Sequence, residues 1–487
     1  MNETVVERLS RRHKAFVLAS CCLSVLIVSI DVTIANVAIP SIRADLSASP
    51  SQMQWVIDIY TLMVASLLLL SGAMADRFGR RRTLQIGLTI FASASLLCSV
   101  APNVETLIGA RFLQAIGGSM LTPAGLSIVT QVFTGRVERA RVIGIWGGVV
   151  GISMALGPIM GGILLEYVDW RAVFWINVPI CALAVLLTAI FVPESKSVTM
   201  RHVDLIGLVL GMAFLFGLVF VLIEGPGMGW TDTRVVVSCC LAALAFATFL
   251  RYESRRLDPF VELRFFRSIP FASATAIAVC AFAAWGAFLF MMSIYLQGGE
   301  RGLSAVNTGL MFLPVAVGAF IFSPLSGRLV GRFGARPSLM IAGALIVAAT
   351  LMFAQMSDAT PQWRMLVAFA VFGVGTSMVN APVTTAAVSG MPTDRAGAAA
   401  AITSTSRQVG VAIGVAICGP VAGAALGDTN VDFAVSAQPL WLVFAGVGVL
   451  IFTLGVYSTS KRALRSAEHL APLIAGTDPR REAADVA

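Results

Sequence analysis

The chain has 487 residues, of which 57% are hydrophobic and 12% charged, with a net charge of +8. Soluble globular proteins carry about a quarter charged residues, so this composition excludes one and indicates an integral membrane protein. The basic residues sit in short clusters between apolar runs and form no continuous stripe, which argues against nucleic acid as a partner and for a role in topology.

Arg8, Arg11, Arg12 and Lys14 precede the first apolar run, which continues to about residue 39 and holds Asp31. It is too long for the core of a signal peptide and reads as a retained first helix. Fourteen segments are apolar enough to cross a bilayer as helix, at residues 16–39, 54–74, 83–101, 104–133, 142–165, 172–192, 205–223, 235–250, 271–296, 308–325, 339–355, 365–391, 396–426 and 439–457. With that alternation 27 Lys and Arg fall on the side of the termini and five on the other, Arg43, Arg171, Arg234, Arg301 and Arg364. The excess places both termini in the cytoplasm of a cell (inner or plasma) membrane protein.

The turn GAMADRFGRRR at residues 72–82 returns in weakened form as GRLVGRFGAR at 327–336, an offset of 255 residues (332 − 77) with Gly331 where the first copy has Asp76. A duplicated six-helix unit with two helices inserted between the copies explains that spacing. The expected division is a six-helix bundle at 1–193, an inserted pair at 194–250, a second bundle at 251–465 and a disordered cytoplasmic tail at 466–487.

All eight cysteines lie in or beside apolar runs without a C-x-x-C pair, and His13, His202 and His469 lie in polar flanks. Neither a disulfide framework nor a metal centre is expected, and no phosphate-binding G-x-x-x-x-G-K-[ST] loop occurs. No cofactor is therefore expected, nor an enzymatic role, nor an obligate protein partner. The expected surroundings are the lipid bilayer.

Asp31 is an acid inside an apolar helix, where a charge costs about 2.5 to 3.5 kcal/mol on insertion scales. It can hold a proton in one conformation and release it, or trade it for a cation, in the other; a structural carboxylate bonded to a neighbouring helix is the alternative. Asp58 lies one turn into the second helix at a similar depth, so the two acids can serve one organic cation, unless Asp58 reaches water at the interface. Arg111 reaches the same layer and is expected to pair with Asp31 or Asp58, while Arg407 has no evident acid and is left to backbone carbonyls or water. Residues 144–162 hold seven glycines and Pro158, a pattern for close packing against a helix of the second half. Trp55, Tyr60, Trp146, Phe282, Trp285, Phe288 and Tyr295 are candidates to line a cavity for flat apolar cations.

Four segments in order carry a resemblance: Asp31-Val-Thr-Ile-Ala-Asn36-Val-Ala-Ile-Pro40, the turn at 72–82, Arg111-Phe-Leu-Gln114-Ala-Ile-Gly117-Gly118 with Ala115 where glycine is usual, and Gly157-Pro158-Ile-Met-Gly161-Gly162. Ile223-Glu224-Gly225-Pro226 and Arg407-Gln408-Val-Gly410 extend it more loosely into the rest of the chain. The chain resembles the major facilitator superfamily, specifically its fourteen-helix drug/proton antiporters. The resemblance implies an all-α membrane fold and proton-coupled export of hydrophobic, cationic drugs or antibiotics by alternating access, or export of one endogenous metabolite or self-made antibiotic. It further implies proton coupling through Arg111 with Asp31 and Asp58, recognition of lipophilic cations at Asp58, a conformational latch at Asp76, Arg77, Gly79 and Arg80, and an antiporter motif at Gly157, Pro158, Gly161 and Gly162.

Overall fold

The computed structural model describes residues 10–195, 204–256, 261–298, 301–357, 359–389, 391, 396–419, 421, 433–460, 462–463 and 465–467. They form fourteen helical rods: α1 (Arg11–Leu46), α2 (Pro50–Phe78), α3 (Arg80–Ser99), α4 (Val104–Val132), α5 (Arg136–Tyr167), α6 (Ala172–Phe191), α7 (Leu205–Met228), α8 (Thr233–Glu253), α9 (Ile269–Gln297), α10 (Ala305–Phe333), α11 (Ala335–Ala354), α12 (Gln362–Val388), α13 (Ala396–Ile417) and α14 (Phe433–Tyr457). Among the described residues there is no strand. Eleven rods are long and apolar enough to cross a membrane; α3, which opens on three arginines, and α13 fall short of that measure, and α5 shows two shorter apolar stretches, Arg141–Val150 and Leu156–Tyr167.

Several helices overrun their apolar segments. The first, expected at 16–39, is Arg11–Leu46, the eighth is Thr233–Glu253 rather than 235–250, and the tenth is Ala305–Phe333 rather than 308–325. Apolarity marks only the stretch inside hydrocarbon, whereas the backbone keeps its hydrogen bonds into the interface. The thirteenth runs to Ile417; residues 420 and 422–426 of its expected segment, and most of the expected tail, from residue 468, lie outside the described residues. Ser466 at the start of that tail is tied down, its hydroxyl accepting a hydrogen bond from the Ile269 amide at 3.0 Å.

The duplication is visible in the helix ends. α2 and α10 are displaced by 255 residues at both termini (305 − 50 and 333 − 78), as are α3 and α11 (335 − 80 and 354 − 99). The turn between each pair is made by a glycine of positive φ, Gly79 at 112° and Gly334 at 78°, a backbone region that favours glycine.

Helices α1–α6 pack as one bundle and α9–α14 as a second, while α7 and α8 pair with each other and α7 lies across α2 and α13. With α2 and α13, the inserted pair encloses an apolar crevice of about 180 Å³ lined by Leu69, Met212, Phe249 and Ile402. The end where α1 starts is called proximal here and the end where it finishes distal. At the distal end one hydrophobic core runs through both bundles, from Ile34, Ile57 and Trp170 to Phe288, Met311 and Trp441. At the proximal end there are two separate cores, one with Phe91 and Ile128 in the first bundle and one with Phe271 and Ile451 in the second.

The seams between bundles repeat this asymmetry. At the distal end Gln54 Nε2 donates to the Val415 carbonyl at 2.6 Å, Ser293 Oγ to the Asn36 carbonyl at 2.7 Å, and Gln297 Nε2 to the Val37 carbonyl at 3.0 Å. Toward the proximal end, a Cβ added at Gly144 or Gly148 of α5, or at Gly327 or Gly331 of α10, would meet nothing within 4 Å. The bundles are joined distally and part proximally, which leaves a cleft between them open at the proximal end.

Candidate functional site

Asp31 lies in the interior of the first bundle, 0% exposed, and side chains of two other helices, α4 and α6, converge on it. Its Oδ2 accepts from Arg111 Nη1 at 2.5 Å, and its Oδ1 accepts from Gln114 Nε2 at 2.9 Å and from Asn177 Nδ2 at 3.1 Å. Arg111 and Gln114 are three residues apart on α4 and so share a face. Arg111 Nη1 also donates to Gln114 Oε1 at 2.6 Å, its Nε donates to the Val56 carbonyl at 3.2 Å, and its guanidinium lies 4.4 Å over the Tyr60 ring. Gln114 Nε2 further bonds Ser95 Oγ at 2.8 Å. A buried ion pair survives desolvation only when its polar atoms find partners, and here both carboxylate oxygens and the Nε and Nη1 of Arg111 do.

Asp58 is equally buried but differently placed. Neither carboxylate oxygen has a hydrogen-bond partner among the described residues, and Thr61 Oγ1 donates instead to its backbone carbonyl at 3.1 Å. Asp58 shares a helical face with Gln54 and Leu62, and those two meet α13, Leu62 in a cluster with Ala412 and Ala416. Tyr60, two residues on and therefore about 200° around the helix, faces Arg111. The structure thus brings Asp31, Arg111 and Tyr60 together and turns Asp58 away from them, into the distal seam and out of reach of water.

The aromatic candidates do not gather around one cavity. Trp55 Nε1 donates to Glu224 Oε1 of α7 at 2.9 Å. Trp146 is buried inside the first bundle, where a Cβ on Gly125 would come within 2.7 Å of its ring. Trp285 stacks on Phe372 with centroids 6.4 Å apart and lies beside Pro158, Phe288 joins a cluster with Phe312, Phe353 and Phe369, and Tyr295 Oη donates to the Ser357 carbonyl at 2.8 Å.

In the proximal turn Asp76 pairs with Arg80 at 2.9 Å, at the first position of α3. Glu194, just past α6, accepts from the amides of Arg81 at 3.2 Å and Arg82 at 3.3 Å, capping α3 with a carboxylate where the helix dipole favours one. A Cβ on Gly79 would meet Glu194 Oε1 at 2.5 Å, and Arg77 lies over Phe78 at 5.5 Å. In the second bundle a Cβ added at Gly334 would meet nothing within 4 Å among the described residues. On α5, Gly157 and Gly161 lie against Thr33 and Ile34 of α1, Gly162 against Ala305 and Val306 of α10, and Gly309 of α10 against the Pro158 carbonyl.

Sequence reasoning gave no role to Asn177, Ser95, Glu194 or Glu224. Asn177 and Ser95 had a signal, polar side chains within apolar helices; the carboxylate of Glu194 had none, because its amide partners are 113 and 112 residues distant. Arg407, left to carbonyls or water, bonds Thr384 Oγ1 through Nη2 at 2.7 Å.

A family model described as Major Facilitator Superfamily matches residues 21–415. The chain is similar to the multidrug resistance protein Stp of Mycobacterium tuberculosis, with 34% identity over 418 residues, 86% of this chain and 78% of that protein. It is similar to the puromycin resistance protein pur8 of Streptomyces alboniger, with 36% identity over 445 residues, 88% of this chain and 87% of that one. Among solved structures it resembles a bacterial homologue of the human drug peptide transporters PepT1 and PepT2, with a TM-score of 0.65 at 14% identity over 94% of this chain and 100% of that one.

Proposed function

The chain belongs to the Major Facilitator Superfamily, and from that premise we propose that it is a proton-coupled exporter of hydrophobic, cationic drugs or antibiotics, working by alternating access. Similar proteins are named for multidrug resistance and puromycin resistance, which supports export of more than one compound class. The excess of Lys and Arg at the proximal end supports a cytoplasmic location for that end and for both termini. The open cleft then faces the cytoplasm, and export requires the distal seam to part as the two proximal cores close together.

The observation that carries the reading is the buried Asp31–Arg111 pair held by Gln114 and Asn177 inside one rocking bundle. A proton on Asp31 removes the charge that Arg111 is paired with, so proton uptake loosens α1 from α4, and release restores the pair. Asp58, with unbonded carboxylate oxygens at the seam, is the acid left for a cationic substrate or a second proton. Each proton moving inward across 100 mV contributes about 2.3 kcal/mol, sufficient to drive uphill export without ATP.

The test is ethidium efflux from cells expressing wild type, Asp31→Asn and Asp58→Asn at equal levels, with and without a protonophore. Protonophore-sensitive efflux abolished in Asp31→Asn is the expected result. Efflux that survives both substitutions overturns the carboxylate mechanism, and wild-type efflux indifferent to the protonophore overturns proton coupling.

A further inference from the structure

Arg407 lies within α13, and the proposed mechanism gives it no role. Arg111 in the first bundle has Asp31; among the described residues no acidic side chain reaches Arg407. Its position is fixed from behind. α13 is pressed onto α9 through Gly410, where a Cβ would lie 2.5 Å from the Val279 carbonyl, and through Gly414, where one would run into Ala283. One turn before Gly410 the side chain of Arg407 emerges beside Phe282, with its guanidinium 5.6 Å over that ring. Nη2 donates to Thr384 Oγ1 of α12 at 2.7 Å, and Nε is buried without a hydrogen-bond partner. A guanidinium has five N–H donors in a planar fork, so most of its capacity is unspent.

The surroundings place this group on a wall of the cleft. By the internal repeat, α9 and α12 are the second-bundle counterparts of α1 and α4, the helices that carry Asp31 and Arg111. Thr384 and Thr385 on α12 are exposed and Arg407 is part-exposed, although α9, α10 and α11 cover the rest of α12. Arg407 stands eleven residues into α13, about 16 Å from its proximal end at 1.5 Å per residue. A molecule entering the cleft from the proximal end reaches this cation before it reaches the distal seam that holds Asp58.

We infer that Arg407, Thr384 and Phe282 form a subsite for the acidic group of an aromatic ligand. A carboxylate or comparable anionic oxygen pair takes the unspent N–H groups of the terminal nitrogens, Thr384, whose own hydroxyl is donated to the Asn380 carbonyl, orients the guanidinium, and the ligand's ring lies against Phe282 and the guanidinium plane. Lysine would supply the charge without the fork or the stacking plane. This goes beyond the proposed function, which names cationic compounds, by adding a second substrate class, aromatic molecules that bear an acid, and rests on that function only for the direction of movement.

The test uses two dyes with the same xanthene ring system, fluorescein with a free carboxylate and rhodamine 6G with that position esterified. Each is titrated by fluorescence anisotropy onto the purified full-length chain in lipid nanodiscs. Arg407→Gln is expected to weaken fluorescein binding by about tenfold while rhodamine 6G stays within about twofold, and Arg407→Lys to recover only part of the loss. Should Arg407→Gln fail to give monodisperse protein, Thr384→Val carries the comparison, with fluorescein weakened by about threefold and rhodamine 6G unaffected. Equal fluorescein affinity in wild type and variant, or no saturable fluorescein binding by wild type, overturns the subsite. Ethidium efflux reads the export function separately: its absence beside intact fluorescein binding removes that function and leaves the subsite standing.

Discussion

Arg111 Nη1 lies 2.5 Å from Asp31 Oδ2, joining α4 to α1 in the interior of one bundle with side chains 1% and 0% exposed. Salt cannot screen a pair so enclosed, and each partner is the other's main compensation for leaving water. Removing one charge therefore strands the other.

Either single substitution, Asp31→Asn or Arg111→Gln, is expected to destabilise the first bundle by about 3–5 kcal/mol, since an uncompensated charge remains buried. The double variant removes both charges and should recover most of that stability while remaining unable to couple export to protons. Thermal melting in detergent beside protonophore-sensitive efflux checks this. A double variant no more stable than the singles would show that the Gln114 bond, and not the pairing, holds α1 to α4.

Asp58→Asn is expected to separate function from stability in the opposite way. Its carboxylate oxygens have no hydrogen-bond partner to lose among the described residues, so a neutral amide in their place should leave melting unchanged or raise it. Ethidium efflux should fall by about tenfold or more, as expected when a buried charge-assisted contact worth some 1.5–3 kcal/mol is removed. A variant that melts markedly lower and still exports would mark Asp58 as structural.

Gly79 and Gly334 occupy equivalent turns and are not equally replaceable. Both have positive φ, but only Gly79 has Glu194 against the space a Cβ would fill. Gly79→Ala should cost about 1–3 kcal/mol because it adds displacement of the α3 cap to backbone strain. Gly334→Ala should cost about 1 kcal/mol, the backbone part alone. Equal losses in melting would mean that the Glu194 cap contributes nothing to the first bundle.

What the sequence made legible was set by local chemistry. The acid of Asp31, the basic turn with its distant echo, and the glycines of α5 are each local anomalies in an apolar chain, and an anomaly needs no knowledge of neighbours to be seen. The family and the two-bundle architecture followed from their order. The direction in which a side chain faces is not local. Asp58 and Tyr60 stand two residues apart and point to different helices, so similar depth for Asp31 and Asp58 did not bring them together. Trp55 was equally illegible, because its partner Glu224 lies 169 residues away on the inserted pair. The state of the seams depends on which cores merge, a property of packing that no single segment holds.

Gly162→Leu should shift the balance between the two cleft states. A Cβ at this position would lie within the Ala305 and Val306 backbone of α10, so a leucine wedges α5 from α10 at the distal end, where the bundles are joined. If the bundles rock as rigid bodies, parting the distal seam closes the proximal one. Gly144, around which the structure leaves open space, then becomes covered. The readout is maleimide labelling of Gly144→Cys in a background with the exposed Cys239 and Cys240 replaced by serine. Adding Gly162→Leu should slow that labelling by about fivefold, a population shift of roughly 1 kcal/mol. Labelling that keeps its rate while export is lost would mean the distal seam opens by local bending of α5 at Pro158, and the two ends of the cleft would then not be mechanically linked.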